Sequence, residues 1–353
     1  MIKAAIIGIG SMGRGHLNNY IKFMKENKGI ELVAICDVDK KKFENYKADF
    51  NIGDMANGEF DFSKFHCYLD VDEMLEKEKE LDMVSVIVPT YLHCEISCKC
   101  LEHGINVFCE KPMALNAEQC EKMIKTAEKN GKRLMIGQCL RFWEEYEYLK
   151  ECVDTNRFGK VISAYFFRGG STPVWSYNDW YHKKELGGGA VYDQHIHDVD
   201  MVNHLFGLPS KVSSVGINYY EGSNYDAVST NYVYPDGMVV NSQNDWCEAT
   251  GFAALYRVNF EKATVRYENG VLSVADASAR NGKIDGDFAG TEYKVIAVDG
   301  VSAYEKEILY FADCIRNGKK IEFNTPYDSM ATIKLVHAEI ASCDKNGETV
   351  EVK

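Results

Sequence analysis

Lysine, carboxylate and imidazole are side chains that move protons, and this sequence sets out one of each where it could act. Lys111 stands in Glu110-Lys111-Pro112, just after the short apolar run Val107–Cys109. Read as a strand, that run delivers Lys111 to the carboxyl end of a sheet, where open α/β sheets bind ligands, and Pro112 biases Lys111 away from helix. Asp193 and His197 follow the glycine run Gly187-Gly188-Gly189 and are four positions apart. On a helix they share a face, with Cβ atoms about 6 Å apart, and the carboxylate can orient the imidazole and favour its charged form. That suits a proton-accepting histidine; His195 points elsewhere. Two other readings of the segment stay open: a metal held by the stripe Asp193, His197, Asp200 and His204, or polar residues that pack or cap the helix.

A second constellation binds rather than reacts. Gly8-Ile9-Gly10-Ser11-Met12-Gly13 follows an apolar run and opens a helical pattern. Gly8 permits a tight turn, Gly10 lets backbone approach a pyrophosphate, and Gly13 lets helix and strand pack closely. The helix N-terminus then receives the phosphate charge. Asp37 ends the next apolar run, 24 positions past Gly13, near the offset expected of a carboxylate on the ribose hydroxyls. A carboxylate there accepts from a free 2′-hydroxyl and repels a 2′-phosphate, so NAD is favoured over NADP. Lys40, Lys41 and Lys42 are read as a solvated helix start.

These residues need elements to position them. Ala4–Ile9, Leu32–Cys36, Met83–Val88, Val107–Cys109 and Leu134–Ile136 are short apolar runs, separated by helix-like His16–Lys25, Val71–Lys79, Cys94–His103 and Ala117–Asn130. Buried strands alternating with helices indicate a parallel sheet covered on both faces. Phe50–Phe65, rich in Gly, Asp and Asn, reads as a surface excursion. Beyond about residue 135 the strands Val161–Arg168, Lys211–Asn218, Ser229–Tyr234, Met238–Asp245, Ala254–Phe260, Ala263–Glu268 and Val271–Ala275 run in series, separated by turn signals. Two late helices, near Tyr304–Asn317 and Tyr327–Asn346, close the pattern. The fold class is therefore α/β: an N-terminal Rossmann domain (1–125), then a C-terminal α+β domain with a large open mixed or antiparallel sheet (126–353), the cleft lying between them.

Composition narrows the function. The 353 residues suggest about two domains, and a hydrophobic content of 46% suffices for a real core. A net charge of −13 without a basic tail argues against binding nucleic acid or anionic lipid. No apolar run reaches the roughly 18 residues of a membrane span, and Met1–Ile7 reads as a first strand rather than a signal peptide. Twelve cysteines without a paired CxxC pattern read as small core-filling thiols of a reducing cytoplasm.

Together, Gly8-x-Gly10-x-x-Gly13, Asp37, Pro89-Thr90-x-x-His93, Glu110-Lys111-Pro112, Arg141-Phe142 and the glycine-rich Asp193-x-x-x-His197 segment resemble the glucose–fructose oxidoreductase/inositol dehydrogenase (Gfo/Idh/MocA) family over nearly the whole chain. The resemblance implies NAD(P)-linked oxidation of sugars or cyclitols, and a second domain whose open sheet often builds oligomers, here a dimer or tetramer. It implies Lys111 as the catalytic lysine in a peptide often cis to Pro112, Asp193 as the substrate-binding carboxylate and His197 as the general acid/base. Gly8, Gly10, Ser11, Met12, Gly13, Asp37, Pro89, Thr90, His93, Glu110 and Arg141 are expected to bind cofactor; Trp143, Trp180, Tyr181 and His195 are expected to contact substrate; no metal is expected. Trp143-Glu144-Glu145-Tyr146 departs from the proline and small residues that commonly follow the Arg-Phe pair. The expected reaction is hydride transfer between a secondary alcohol and NAD. Its competitors are a glycosidase of the same family that retains its NAD, and a non-catalytic NAD-binding sensor.

Overall fold

The computed structural model describes residues 1–44, 59–277 and 292–353, which divide into two compact units. The first comprises Met1–Cys139, Val174–Gly187 and Ser302–Ile333. It opens with β1 (Ile2–Ile7), α1 (Ser11–Lys25), β2 (Ile30–Cys36), β3 (His66–Tyr68), α2 (Val71–Lys77) and β4 (Met83–Val86). It continues with α3 (Thr90–Glu102), β5 (Asn106–Glu110), α4 (Ala117–Lys129) and β6 (Leu134–Gly137). The strands form one sheet in the order β3-β2-β1-β4-β5-β6, every pair parallel. Parallel strands buried on both faces need continuous apolar runs, and β4, β5 and β6 are buried at every position. The order reverses between β1 and β4, so their carboxyl ends flank the crevice where such sheets bind ligands.

The expected strands and helices of this unit are present. The structure adds β3, too short to show a pattern, and starts α1 and α3 several residues earlier, because Ser11 and Thr90 are polar first-turn residues rather than periodic ones. Of the excursion Phe50–Phe65, residues 50–58 lie outside the described residues. The rest is not all surface: Phe60 is buried, with the Arg14 guanidinium 5.3 Å from its ring centre.

The second unit comprises Leu140–Pro173, Gly188–Val301 and Lys334–Lys353. Its elements are α5 (Glu144–Asp154), β7 (Val161–Gly169), α6 (Ile196–Phe206), β8 (Lys211–Ile217), β9 (Ala227–Val233), β10 (Val239–Asp245) and β11 (Ala253–Phe260). After β12 (Ala263–Glu268), β13 (Val271–Asp276) and β14 (Lys294–Val295), α7 (Ala303–Arg316) returns to the first unit. The helix α8 (Pro326–Cys343) enters the second unit at Lys334, and β15 (Val350–Glu351) ends the fold. The nine-stranded sheet runs β14-β13-β12-β11-β7-β10-β9-β8-β15, antiparallel except for the β7–β10 pair. Thus the first sheet extends to Gly137 and α7 rejoins its unit, whereas the sequence reading divides the chain at 125/126.

Alternation makes the second sheet one-sided. Ala164, Phe166 and Arg168 of β7, and Val240, Ser242 and Asn244 of β10, face a covered interior, while Tyr165, Val215, Ile217 and Val239 on the other face stay exposed. A charged Arg168 in that interior needs a partner. Its Nε and Nη2 donate to Asp198 of α6 at 3.2 and 3.0 Å, and Nη2 also donates to the Tyr146 hydroxyl of α5. Arg141 forms a second buried pair, donating from Nε and Nη2 to Asp200 at 2.8 Å each. Removing one member of such a pair strands the other charge, so Asp198→Ala is expected to cost about 3–5 kcal/mol of unfolding free energy. Urea denaturation measures this; a loss below about 1 kcal/mol would place the support of Arg168 elsewhere.

Candidate active site

The glycine loop joins β1 to α1. Gly8 has φ +92°, and a Cβ there would come within 2.3 Å of the Ile87 carbonyl oxygen. A Cβ on Gly13 would lie 2.1 Å from the Gly8 carbonyl oxygen, so helix and loop touch backbone to backbone. Gly10 is the opposite case: nothing lies within 4 Å of where its Cβ would stand. It caps α1 without a side-chain hydrogen bond, and the first turn holds no acid. The backbone N–H groups and positive dipole end of α1 therefore face an open cradle of the kind that takes a pyrophosphate. The loop's Ser11 and Met12 are partly accessible.

Asp37 is latched to this loop. Its Oδ2 accepts the Ile9 N–H at 2.8 Å and its Oδ1 accepts the Asp39 N–H at 2.9 Å. Each carboxylate oxygen has a second lone pair, which leaves acceptors for ribose hydroxyls. Lys40, Lys41 and Lys42 begin a short 3₁₀ turn with no buried residue.

At the carboxyl end of β5, Glu110 is buried and works for the protein. Its Oε1 lies 2.9 Å from His16 Nε2 on α1, and its Oε2 accepts the Lys111 backbone N–H at 3.1 Å. The Lys111–Pro112 peptide is cis. His93 braces the same turn: its Nδ1 lies 2.7 Å from the Pro112 carbonyl oxygen and its Nε2 2.8 Å from that of Val88. Burial pushes its pKa below the usual histidine value, against the pull of the two carbonyls. His93 is buried with both ring nitrogens against backbone carbonyls, so it braces the Lys111 turn, which corrects its expected place as a cofactor contact; Glu110 helps to hold the same turn through the Lys111 N–H. Pro89 and Thr90 begin α3, with Thr90 buried. Lys111 is partly accessible.

In the second unit, the glycine run opens a π-helical turn, Val191–His195, that continues as α6. Gly188 and Gly189 have positive φ, and a Cβ on Gly189 would lie 2.6 Å from the Asn224 nitrogen, so this stretch lies hard against its neighbours. Along Val191–Asp200 only Asp193 and His197 are more than marginally accessible; every other side chain is buried. His195 is fully buried, its Nε2 3.0 Å from Glu339 Oε2 and its Nδ1 3.4 Å from Ser242 Oγ. It supports the turn, which corrects its expected role as a substrate contact. The buried Arg141–Asp200 pair engages Nε and Nη2 of Arg141 and both oxygens of Asp200, which takes Asp200 out of the metal stripe. Trp143, Trp180 and Tyr181 are partly accessible, and the last two rings stack with centroids 4.0 Å apart.

Sequence reasoning missed Glu307, buried on α7. A signal existed: Ala303, Glu307, Ile308 and Phe311 share the buried stripe of that helix, so a carboxylate stands where periodicity asks for an apolar residue.

A parallel six-stranded sheet with this loop at its first turn defines a dinucleotide-binding module. Residues 2–138 match the family described as an oxidoreductase family with an NAD-binding Rossmann fold, and residues 146–266 match the GFO/IDH/MocA C-terminal domain. The chain belongs to the Gfo/Idh/MocA family. It is 30% identical over 215 residues to a 2,7-anhydro-N-acetylneuraminate hydratase of Mediterraneibacter gnavus, a match covering 60% of this chain and about half (53%) of that relative's length. An inositol 2-dehydrogenase of Arthrobacter sp. is 24% identical over 355 residues, covering 100% of this chain and 96% of that one. Among solved structures, levoglucosan dehydrogenase in complex with NADH and levoglucosan superposes with a TM-score of 0.82 at 17% identity, covering 100% of this chain and 99% of that one; at that identity the likeness speaks to fold.

The two glycines predict opposite outcomes. Gly13→Ala has no room and is expected to lower thermal stability and abolish NAD binding, whereas Gly10→Ala has room in the protein and is expected to leave stability within about 1 kcal/mol. Gly10→Ala instead fills the cradle, and NAD affinity by titration calorimetry should fall by on the order of 10²-fold. Unchanged affinity in Gly10→Ala would move the pyrophosphate elsewhere.

Proposed function

We propose that this protein is an NAD-dependent oxidoreductase that transfers hydride between a secondary alcohol of a sugar, glycoside or cyclitol and the nicotinamide. The observation that carries the reading is the partial accessibility of Asp193 and His197 alone along a buried helical segment. A polar pair kept accessible at a π-helical turn, in a fold that buries its neighbours, is the usual mark of a working site.

The cradle at Gly10, Ser11 and Met12 holds the pyrophosphate and Asp37 the ribose, which selects NAD over NADP. When bound, NAD supplies the hydride acceptor. His197 takes the hydroxyl proton as the alcohol is oxidised, and Asp193 orients it or binds a neighbouring hydroxyl. Lys111 donates to the developing alkoxide, which requires that it and His197 reach the same hydroxyl. Relatives named for inositol and levoglucosan support a neutral polyol or sugar as substrate; Trp143, Trp180 and Tyr181 are our candidates for contacts to its ring.

A second reading comes from the relative named as a hydratase. Addition of water changes no oxidation level, so an enzyme of that kind, like a glycosidase that retains its NAD, would turn over without accumulating NADH. Following absorbance at 340 nm and product formation over a panel of inositols, hexoses, glycosides and anhydro-sugars separates the readings. NADH accumulation supports the dehydrogenase, product without NADH the redox-neutral enzyme, and silence a non-catalytic NAD-binding sensor. On the active substrate, Lys111→Ala and His197→Ala are each expected to lower kcat by about 10²–10⁴-fold. Near-full turnover in His197→Ala would overturn the assignment.

We also propose a cytoplasmic homo-oligomer, dimer or tetramer. All twelve cysteines are free and ten are buried, as suits a reducing compartment. Among the described residues no helix is long and apolar enough to cross a membrane. The exposed sheet face bearing Tyr165, Val215 and Val239 offers the assembly surface. Light scattering should report a dimer or larger, and Tyr165→Glu combined with Val215→Glu should shift it toward monomer; a monomeric parent protein refutes the proposal.

A further inference from the structure

Glu307 is a carboxyl that no part of the substrate chemistry uses. Its side chain on α7 is fully buried, and among the described residues no donor reaches either of its oxygens. One nitrogen of His16 and one oxygen each of Glu110 and Glu307 lie within 4.8 Å of one another. Glu110 is served on both oxygens, by His16 and by the Lys111 N–H, so its negative charge is held. No comparable donor remains for a second charge. The surroundings are apolar: the His16 and Phe108 ring centroids lie 5.5 Å apart, and those of Phe108 and Phe311 lie 6.2 Å apart. Two buried carboxyls this close do not both ionise.

We infer that Glu307 stays protonated, directs its O–H toward Glu110, and acts as a positioning residue for Lys111 through the Glu110 carboxylate that holds the Lys111 backbone. Burial first, and the Glu110 charge second, push Glu307 well above the usual carboxylate range. The groups facing it are Glu110 from β5, His16 from α1, Cys139 beyond β6 and Tyr304 one turn back on α7. Burial pushes the Cys139 thiol up to about 12 and Tyr304 well above its usual value, so both are neutral near pH 7. The proton balance is complete within the cluster: one charge on Glu110, one proton on Glu307, and an N–H of His16 donated to Glu110. The positioning role rests on the reading that Lys111 meets the substrate; the proton on Glu307 does not.

Three measurements test it on the intact protein. Infrared spectroscopy should show a protonated-carboxyl C=O band at pH 7 that Glu307→Gln removes. Because the folded pKa is raised, Glu307 favours folding fully only at low pH and costs stability increasingly as pH rises above its ordinary value of 4.5. Glu307→Gln, neutral at every pH, should therefore match the parent at pH 4 and exceed it at pH 8, by at most about tenfold in the folding constant per pH unit. Glu307→Gln should also keep kcat within about twofold, whereas Glu307→Leu should lower it about tenfold with little change in KM. An absent band, identical pH–stability profiles, or a stoichiometric divalent cation released by Glu307→Gln would overturn the proton assignment. If Glu307→Leu fails to fold, the band and the glutamine profile still decide. If Lys111→Ala keeps its activity while the band and profile stand, the Lys111 reading fails and the proton assignment survives.

Discussion

Glu110 carries its charge away from water at the carboxyl end of β5, and it can do so because His16 and the Lys111 backbone donate to its two oxygens. An ion in a low-dielectric interior is tolerated only with donors in place, and that requirement arranges the rest. It ties α1 to β5 and sets the backbone of the turn that presents Lys111. The second unit meets the same requirement three times, with Arg141 on Asp200, Arg168 on Asp198 and Glu339 on His195. Three of those six residues belong to the π-turn and α6, so the segment bearing Asp193 and His197 is anchored by its buried polar neighbours as well as by apolar packing.

Glycine serves two opposite ends in the cofactor loop. At Gly8 and Gly13 the missing Cβ is a condition of folding, because backbone occupies the space a side chain would need. At Gly10 the missing Cβ leaves space unfilled. The first kind of glycine builds the turn and the second leaves room for what the turn binds, although a sequence pattern spells both identically.

The family supplies more than one kind of chemistry for such a site. Relatives carry the names of a dehydrogenase and of a hydratase, and the two reactions differ in whether the substrate changes oxidation level.

Much of the fold was legible from periodicity. Parallel strands buried on both faces must be apolar throughout, so β1, β2, β4, β5 and β6 announce themselves, and the alternation of β7 to β13 reads as a one-sided sheet. The three-residue β3 and two-residue β14 and β15 are too short for any period. The helix α5 escaped because its apolar positions Tyr146, Leu149 and Cys152 are interspersed with acids that hide the stripe. The glycine loop, Asp37 and the four-residue spacing of Asp193 and His197 were legible in the sequence; that this pair stays accessible among buried neighbours is a property of the fold. Spacing could not say which polar residues are consumed by the protein itself. His93, Arg141 and His195 have the chemistry of ligands, but partners 19, 59 and 144 positions away occupy them. Residue type and local order are properties of the chain; whether a buried polar group is already satisfied depends on contacts remote in sequence, and only the tertiary structure decides it.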